Sequence, residues 1–241
     1  MTPSQPSRRI LVTAGNTREM IDRVRDWGNV FTGNTGYAIA RAMAPLGHVD
    51  LLTSNRAHVA QAAQDDIHAT PFTSHAQLKA ALAALLTGNS YDAVVMTAAV
   101  ADYQPAGVYH VIERTAQAGG FETWTVKNVQ ADKVKSTHRQ IAVLGSPTEK
   151  IVDLFRTTWH HAGLLFKFKL EVGITKDELI QIGQSSRRAS RADYLIANTL
   201  DMVEGPSAGA FLLSDQGEEF IPRPALPQKL ADLVRAHPRG Y

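Results

Sequence analysis

The feature that most constrains the fold is the segment 10–43, which reads ILVTAGNTREMIDRVRDWGNVFTGNTGYAIARAM. It opens with an apolar run typical of a buried strand, continues through a polar loop with several glycines, and closes on a helical pattern. The first amides of a helix are unpaired and lie at the positive end of its dipole, so this order can bind an anion. The same pattern suits a glycine turn between two packed elements, and the spacing alone favours neither reading.

The chain then alternates between strand and helix patterns. Gly47 ends the first helix, residues 48–53 read as a second strand, residues 74–86 as a helix and residues 92–97 as a third strand. A strand, a helix and a strand within about 45 residues make a βαβ unit, which predicts parallel pairing. Further strands are predicted at residues 140–144, 164–170 and 194–197, followed by a terminal hairpin and a closing helix at 226–236. We therefore predict an α/β fold, a Rossmann-like doubly wound sheet that is mostly parallel, flanked by helices, with an antiparallel edge.

Two local patterns give finer expectations. Residues 146–149 and 175–178 have the form of capping boxes and predict helix starts. Lys167 and Lys169 alternate with aromatic residues in one predicted strand, so we expect that face to meet water or an anion rather than a helix layer.

The strand–helix rhythm breaks at residues 103–140. Two strand-like runs flank Gly119-Gly120 and predict a β-hairpin, and the stretch that follows is basic. A long excursion within a compact domain is usually functional. We expect a single domain over residues 1–241, with a flexible tail at 1–8 and an inserted flap or dimerisation arm at 103–140.

Composition removes several classes of function. A chain of 241 residues with 44% hydrophobic and 20% charged residues suits a globular domain. There is no cysteine, which excludes disulfides, thiolate metal sites and a catalytic thiol, and which fits a reducing cytosol. The net charge of +2 does not argue for nucleic acid, and no apolar run approaches the roughly 18 residues of a membrane span. We expect a cytoplasmic protein with no nucleic-acid or membrane partner.

Several nucleotide and hydrolase motifs are missing. A dinucleotide site needs G-x-G-x-x-G directly after the first strand and an acidic residue at the end of the second, whereas here the first loop is long and the second strand ends in Thr53-Ser54-Asn55. Neither a P-loop nor a nucleophile-elbow sequence occurs. The histidines show no metal-binding spacing on a helix. A metal held by nucleotide phosphates and one carboxylate, such as Asp102, stays open.

Four polar residues are candidates for the chemistry, each with a structural alternative. Arg25 suits a phosphate or carboxylate, or it forms an internal salt bridge with Asp22 that orders the loop. Asn29 could donate to an oxyanion or occupy a turn. Lys133 and Lys135 could close over phosphates as mobile charges, or form a solvated charge run.

Four ordered motifs resemble one enzyme family. Residues 13–36 resemble the T-A-G-x-T-R-E-x-I-D-x-V-R-x-x-x-N opening and glycine loop of phosphopantothenate–cysteine ligases, the phosphopantothenoylcysteine synthetases of coenzyme A biosynthesis. Residues 96–103 resemble the family's A-A-V-A-D-[YF], residues 133–135 its K-I-K and residues 193–198 its D-x-[IL]-[VC]-A-N. The motifs span nearly the whole chain and occur in the family's order.

The resemblance implies a Rossmann-like ligase that is generally a homodimer. CTP or ATP would activate the carboxylate of 4'-phosphopantothenate as an acyl-nucleotidylate with the help of Mg²⁺, and pyrophosphate would leave. The amine of L-cysteine would then attack, giving phosphopantothenoylcysteine and a nucleoside monophosphate. Many bacterial members carry a flavin-dependent decarboxylase half before this domain. The sequence shows none, so we expect no FMN and no decarboxylation.

The resemblance also assigns roles to residues. Asn29 matches the asparagine at the reacting carboxylate, and Lys133 matches a flap lysine of the activation step. The matched nucleotide-binding positions are Gly15, Asn16, Thr17, Gly33, Gly36, Ala98, Asp102 and Phe168. The matched substrate-binding positions are Arg25, Asn29, Ala99 and Lys135.

The chain departs from the family pattern in the phosphate and base loops. Phe31-Thr32 stands where serines are usual, Asn34 where a lysine or arginine often lies, and residues 168–171 read FKLE rather than F-A-A-E. The segment between Asp102 and Lys133 is longer than usual. These departures keep two alternatives open: a related ligase for another acid and amine, and a nucleotide-binding protein without catalysis. An NADP-binding reductase is less favoured.

Overall fold

The first strand begins within the segment that the sequence assigned to a loose tail. The computed structural model describes residues 7–205 and 207–238, so most of that tail, residues 1–6, lies outside the described residues. Strand β1 starts at Arg8 because the apolar run that follows it enters the core directly. Ile10, Leu11 and Val12 are fully buried.

The predicted strands and helices occur in the predicted order, and the structure contains further short strands and a further helix. The strands are β1 (Arg8–Ala14), β2 (Arg18–Met20), β3 (Asp26–Gly28), β4 (Gly47–Thr53), β5 (His68–Pro71), β6 (Ala93–Met96), β7 (Tyr103–Ala116), β8 (Glu122–Asn128), β9 (Ile141–Pro147), β10 (Leu164–Glu171), β11 (Tyr194–Thr199), β12 (Gly209–Ser214) and β13 (Gly217–Pro222). The helices are α1 (Asn34–Met43), α2 (Arg56–Ala62), α3 (His75–Gly88), α4 (Ile151–Thr157), α5 (Lys176–Ala189) and α6 (Leu226–Ala236).

The main sheet confirms the predicted fold class. Within the described residues it has eight strands in the order β13-β12-β11-β10-β6-β1-β4-β5. All pairs from β11 to β5 are parallel, whereas β12 and β13 pair antiparallel at one edge. Strand β1 is central: Val12 lies opposite Leu51 on one side and Val95 on the other. The strands of this sheet that follow β1 in sequence, β4 and β5, lie on one side of it, whereas β6 and then β10 lie on the other side. This reversal is the switch point at which ligands bind to open α/β sheets.

Helices cover both faces of the sheet and divide the core into two layers. Ile10 and Val12 point into a cluster with α1 and α6, whereas Leu11 between them packs with α3 and α4. This alternation is the period of two that a strand buried on both faces requires.

Residues 103–147 form a separate three-stranded antiparallel sheet in the order β8-β7-β9. The predicted hairpin is confirmed by the pairing of β7 with β8. The expectation that residues 140–144 resume the main sheet is wrong, because β9 pairs with β7 instead. We call residues 103–140 the arm. The chain also contains a short antiparallel pair, β2 and β3, inside the first long loop, and an edge strand, β5, that sequence patterns missed.

One of the two predicted capping boxes forms. Thr175 and Glu178 make both bonds of the box at the start of α5. The box predicted at residues 146–149 is wrong, since Ser146 and Pro147 end strand β9. Helix α4 starts only at Ile151 and has no side-chain cap.

The expectation for Lys167 is also wrong. Its ammonium donates to the carbonyl oxygen of Ser186 at 3.2 Å and to Ser190 Oγ at 3.3 Å, at the end of α5. That face of β10 therefore does carry a helix, and burial lowers the pKa of Lys167. Lys169, two residues further along the strand, forms an ion pair with Glu171 at 2.8 Å.

Over residues 7–205 and 207–238, no helix has the length and apolar character needed to cross a bilayer.

Candidate active site

A cavity of about 760 Å³ lies at the carboxyl ends of β1, β6, β10 and β11, where the strand order reverses. Its walls come from the ends of these strands, the loop before α1, the turn after β11 and the terminal hairpin. The lining residues are Gly15, residues 30–36, 97–99, 168–170, Ile196, Asn198, residues 200–204, Gly209, Ala210, Arg223 and Leu226.

The first turn of α1 rests directly on the strand ends. A Cβ added to Gly36 would lie 2.3 Å from Thr97 Oγ1 and 2.7 Å from Ala14 Cβ, so only glycine allows this approach. Gly33, the N-cap, has a φ of 83° and offers no side-chain cap to the helix amides. The first-turn amides are therefore left for a ligand, and with the dipole they form an anion site inside the cavity.

The loops after β1 and β6 are joined by backbone and side-chain hydrogen bonds. Ala99 N donates to the carbonyl oxygen of Gly15 at 2.8 Å, and Thr17 N donates back to the carbonyl oxygen of Ala99 at 3.1 Å. The Thr17 hydroxyl accepts a bond of 2.8 Å from Ala101 N. Thr17 is fully buried, so it supports the loop from behind rather than lining the cavity.

Asn29 lies at the rim, next to lining residue Val30. Its side-chain Nδ2 donates to the backbone carbonyl oxygen of Ala99 at 3.2 Å. Its backbone carbonyl oxygen accepts from the side-chain Nδ2 of Asn16. Asn16 is held in turn by Ser54, whose hydroxyl donates to Asn16 Oδ1 at 3.0 Å. This chain of bonds fixes the long first loop beside the cavity.

The sequence left open whether Arg25 binds a ligand or forms an internal salt bridge with Asp22, and the structure contains the salt bridge. The buried Asp22 carboxylate contacts the Arg25 guanidinium and accepts from Val24 N, Arg25 N and Val134 N at 2.9, 2.8 and 3.1 Å. These bonds, with that from Arg25 first, lower the pKa of Asp22 below its usual range. Arg25 also donates to the carbonyl oxygen of Val134 at 2.8 Å. The pair thus ties the first loop to the segment that carries Lys133.

Lys133 and Lys135 are exposed on either side of the buried Val134. Asp102 is exposed as well, and its carbonyl oxygen accepts from Thr148 N at 2.9 Å. The structure brings six of the sequence-predicted site residues into the cavity wall: Gly15, Gly33, Gly36, Ala98, Ala99 and Phe168. The other seven lie outside its lining: Asn16, Thr17, Arg25, Asn29, Asp102, Lys133 and Lys135.

Three charged lining residues were missed by the sequence reasoning. Asp201 and Glu204 follow β11, and Arg223 follows β13 and donates to the carbonyl oxygen of Val203. Arg223 reaches the cavity because the terminal hairpin pairs with β11, a long-range contact that no local sequence pattern shows. Across the part of the chain that the structure describes, no group of three or more His, Asp or Glu side chains is placed to hold a metal ion.

Comparison with known sequences finds one matching family model and several related proteins. Residues 6–117 match the family described as DNA/pantothenate metabolism flavoprotein, C-terminal domain. The chain is 30% identical, over 91% of its length, to the coenzyme A biosynthesis bifunctional protein CoaBC of Thermococcus kodakarensis. It is 38% identical, over 52% of its length, to that of Mycolicibacterium smegmatis. It covers 48% of the first protein and 28% of the second, so it spans at most about half the length of these relatives.

Solved structures show the same fold. The DNA/pantothenate metabolism flavoprotein of Streptococcus pneumoniae superposes with a TM-score of 0.76 at 22% identity, over 95% of this chain and 99% of the other. A Cab2 mutant in complex with phosphopantothenate-cysteine superposes with a TM-score of 0.65 at 14% identity, over 95% and 85%. At these identities the superpositions support the predicted α/β fold.

Proposed function

We propose that this chain, whose residues 6–117 match the family of DNA/pantothenate metabolism flavoprotein C-terminal domains, is a phosphopantothenate–cysteine ligase. It joins 4'-phosphopantothenate to L-cysteine through an acyl-nucleotidylate formed from CTP or ATP. The products are phosphopantothenoylcysteine, a nucleoside monophosphate and pyrophosphate, in a step of coenzyme A biosynthesis.

The observation that carries this proposal is the composition of the cavity wall. Three of the four family motifs supply lining residues: the glycine loop before α1, the segment 97–99 after β6, and Asn198 at the end of β11. They meet at the switch point of the sheet, beside the open first turn of α1. This arrangement suits a triphosphate, whose negative groups need amide donors and whose base needs an apolar wall such as Phe168.

The proposed chemistry gives each wall a task. The first-turn amides of α1 hold phosphate oxygens, and Asn29 at the rim orients the reacting carboxylate for attack on the α-phosphorus. Lys133 supplies positive charge as pyrophosphate departs. Because Lys133 is exposed outside the lining, its side chain or its segment must reach over the rim when substrates bind.

Neither a built metal centre nor a flavin is required. The described residues contain no ready chelating cluster, so Mg²⁺ would be held mainly by the nucleotide phosphates, with Asp201 or Glu204 as the lining carboxylates at hand. Its contribution when bound is neutralisation of phosphate charge. Activation of a carboxylate and amide formation transfer no electrons, so FMN has no part in the proposed reaction.

The arm supports a homodimer. Its large apolar side chains Ile112, Phe121, Trp124 and Val126 are exposed, and all residues of β8 are exposed in the single chain. A second copy would cover this face. Sedimentation should give a dimer that Trp124→Ser weakens; a monomer at assay concentrations would remove the arm from this role.

The decisive experiment is pyrophosphate release with 4'-phosphopantothenate, L-cysteine and Mg²⁺, run in parallel with CTP, ATP, GTP and UTP. Release should need phosphopantothenate and occur with CTP or ATP. Omitting cysteine should limit release to about one equivalent of enzyme, since the acyl-nucleotidylate then accumulates. No release with any of the four nucleotides would reject the ligase function.

A second candidate is nucleotide binding without turnover. It is favoured by the position of Asp102 and Lys133, which lie outside the cavity lining. Calorimetry showing CTP or ATP binding, together with a silent pyrophosphate assay, would select it. A related ligase for another acid would instead release pyrophosphate only when phosphopantothenate is replaced.

A further inference from the structure

A buried histidine touches the first residue of α1 from behind the cavity. His58, on α2, is only 5% exposed. Its ring stacks on Tyr37 with centroids 4.6 Å apart and planes at 6°, and Tyr37 is itself fixed by a 2.6 Å bond to Asp65. Its Nε2 lies 3.1 Å from Oδ1 of Asn34. The imidazole therefore has little freedom, and its polar contact is with a residue of the cavity wall.

The surroundings of the ring decide where its proton lies. Among the described residues, Nδ1 of His58 is buried and has no hydrogen-bond partner. A buried donor without an acceptor is more costly and rarer than a buried acceptor without a donor, so the proton belongs on Nε2. Burial also lowers the pKa of His58, which keeps the ring neutral. His58 Nε2 then donates to Asn34.

Asn55, the other polar neighbour of His58, already has hydrogen-bond partners for both polar atoms of its side chain. Its Oδ1 accepts from Ala57 N at 3.0 Å and caps α2, and its amide nitrogen donates to the carbonyl oxygen of Thr32 at 3.1 Å. Its 3.4 Å approach to His58 Nε2 adds no strong bond. The hydrogen bond from His58 is therefore directed to Asn34.

This bond orients the Asn34 amide. With Oδ1 turned towards His58, the NH₂ group points away from the ring, and no described residue accepts from it. Asn34 is exposed and lines the cavity beside the open amides of its own helix turn. We infer that Asn34 is a phosphate-contacting residue of the triphosphate site, and that His58 is the positioning residue that aims its amide.

This inference rests on the proposed nucleotide site and adds a specific consequence. A neutral amide held in one direction contributes a hydrogen bond to a phosphate oxygen without adding a mobile charge. Recognition at this position should then depend on geometry and respond weakly to salt, whereas a lysine at the same place would act as a point charge that salt screens.

The test measures binding of α,β-methylene CTP and α,β-methylene ATP by calorimetry, with the corresponding monophosphates as the internal reference. Asn34→Ala should weaken triphosphate binding about tenfold, the scale of one bond to a charged acceptor, and leave monophosphate binding unchanged. Asn34→Asp should weaken it by about a hundredfold or more through repulsion. Asn89→Asp adds the same charge at the end of α3 and should change nothing. Asn34→Lys should bind, with a steeper salt dependence than the natural chain.

The role of His58 is tested by a double-mutant cycle. His58→Phe keeps the stacking on Tyr37 but removes the donor, and should weaken triphosphate binding about threefold. In the Asn34→Ala background the same change should have no effect. His58→Leu is the second donor-less variant should the first fail to fold.

Two outcomes would overturn the inference: unchanged triphosphate binding by Asn34→Ala, or an equal effect of His58→Phe in both backgrounds. Binding results stand apart from the ligase reaction. If no pyrophosphate is released but the Asn34 and His58 variants weaken triphosphate binding as expected, only the proposed ligase function is rejected.

Discussion

The framework of the cavity and the arm beside it are built in opposite ways. In the framework, Thr13 and Thr17 are fully buried and their hydroxyls accept from the amides of Ala98 and Ala101 at 3.1 and 2.8 Å. In the arm, an ion pair joins Arg114 to Glu122 at 2.7 Å and lies on an exposed surface. Hydrogen bonds in the first setting are protected from water, and those in the second are not.

This difference separates two tasks of the proposed site. The framework presents amides and small side chains in fixed positions, which suits the binding of phosphates. The segment after β8 holds Lys133 in solvent. It is attached to the first loop through Asp22, Arg25 and Val134, and also through bonds from Arg23 N to Asp132 and from Gln130 to Ile21. Binding should therefore depend on the framework and turnover on the exposed segment.

The largest expected effect is on turnover. Lys133→Ala should lower kcat by about 10²–10³, the usual result of losing one group that stabilises developing charge. The urea midpoint should not change, since the side chain is exposed. Lys127→Ala, on the exposed strand β8, is the matched control. Wild-type turnover in Lys133→Ala would show that turnover does not depend on the exposed segment, and would contradict the separation of binding and turnover between the two regions.

Next is the close contact under α1. Gly36→Ala should lower the free energy of unfolding by about 2–3 kcal/mol, because its Cβ would lie 2.3 Å from Thr97 Oγ1 and 3.0 Å from the carbonyl oxygen of Thr13. Triphosphate binding should fall with it. At Gly88, near the end of α3, an added Cβ meets nothing within 4 Å, so Gly88→Ala should be neutral or slightly stabilising in the same denaturation experiment. Equal stability of the two variants would contradict the packing argument.

The same division explains what could be read from the sequence. Buried strands such as β1 and helices with a clear apolar face were predicted because their periodicity is local. The partner of a strand is not local: residues 141–147 have strand character, yet nothing nearby in sequence shows that β7 would pair with them. Lys167 was misread for the same reason, since the serines that accept from it lie on α5.

At the site, glycine positions were predictable and long-range lining residues were not. Gly33 and Gly36 lie at the start of a predicted helix, and a helix N-terminus is a common anion-binding site. Arg223 and His58 reach the site through tertiary packing only. The family resemblance assigns to the site both residues that line the cavity and Thr17, which the structure buries behind the loop.

Thr17→Val distinguishes these two roles. Valine keeps the shape but leaves the buried amide of Ala101 without its acceptor, which should cost about 1–2 kcal/mol in urea denaturation. Triphosphate affinity measured under native conditions should change little. Thr123→Val, at an exposed hydroxyl of the arm that accepts from Gln117, should be close to neutral. A loss of affinity in Thr17→Val without a loss of stability would return Thr17 to the nucleotide contact.

The smallest effect concerns the tie between the two regions. Asp22→Asn should weaken the bonds to Arg25 and Val134 and speed amide hydrogen exchange in residues 129–140, with a several-fold lower kcat/KM because Lys133 is less well placed. Exchange in β1 should be unchanged, which serves as the internal control.

The pH dependence of the same exchange sharpens the test. The pKa of Asp22 is lowered, so the stabilisation it gives is complete above the usual aspartate pKa of about 3.9 and is lost only as the pH falls through the lower folded-state value. After correction for intrinsic rates, protection of residues 129–140 should stay constant from about pH 7 to about pH 4. A loss of protection centred near the ordinary aspartate pKa would show that the carboxylate is not held by Arg25. The exposed segment would then depend on its other bonds to the first loop, from Arg23 N to the carbonyl oxygen of Asp132 and from the Gln130 side chain to the carbonyl oxygen of Ile21.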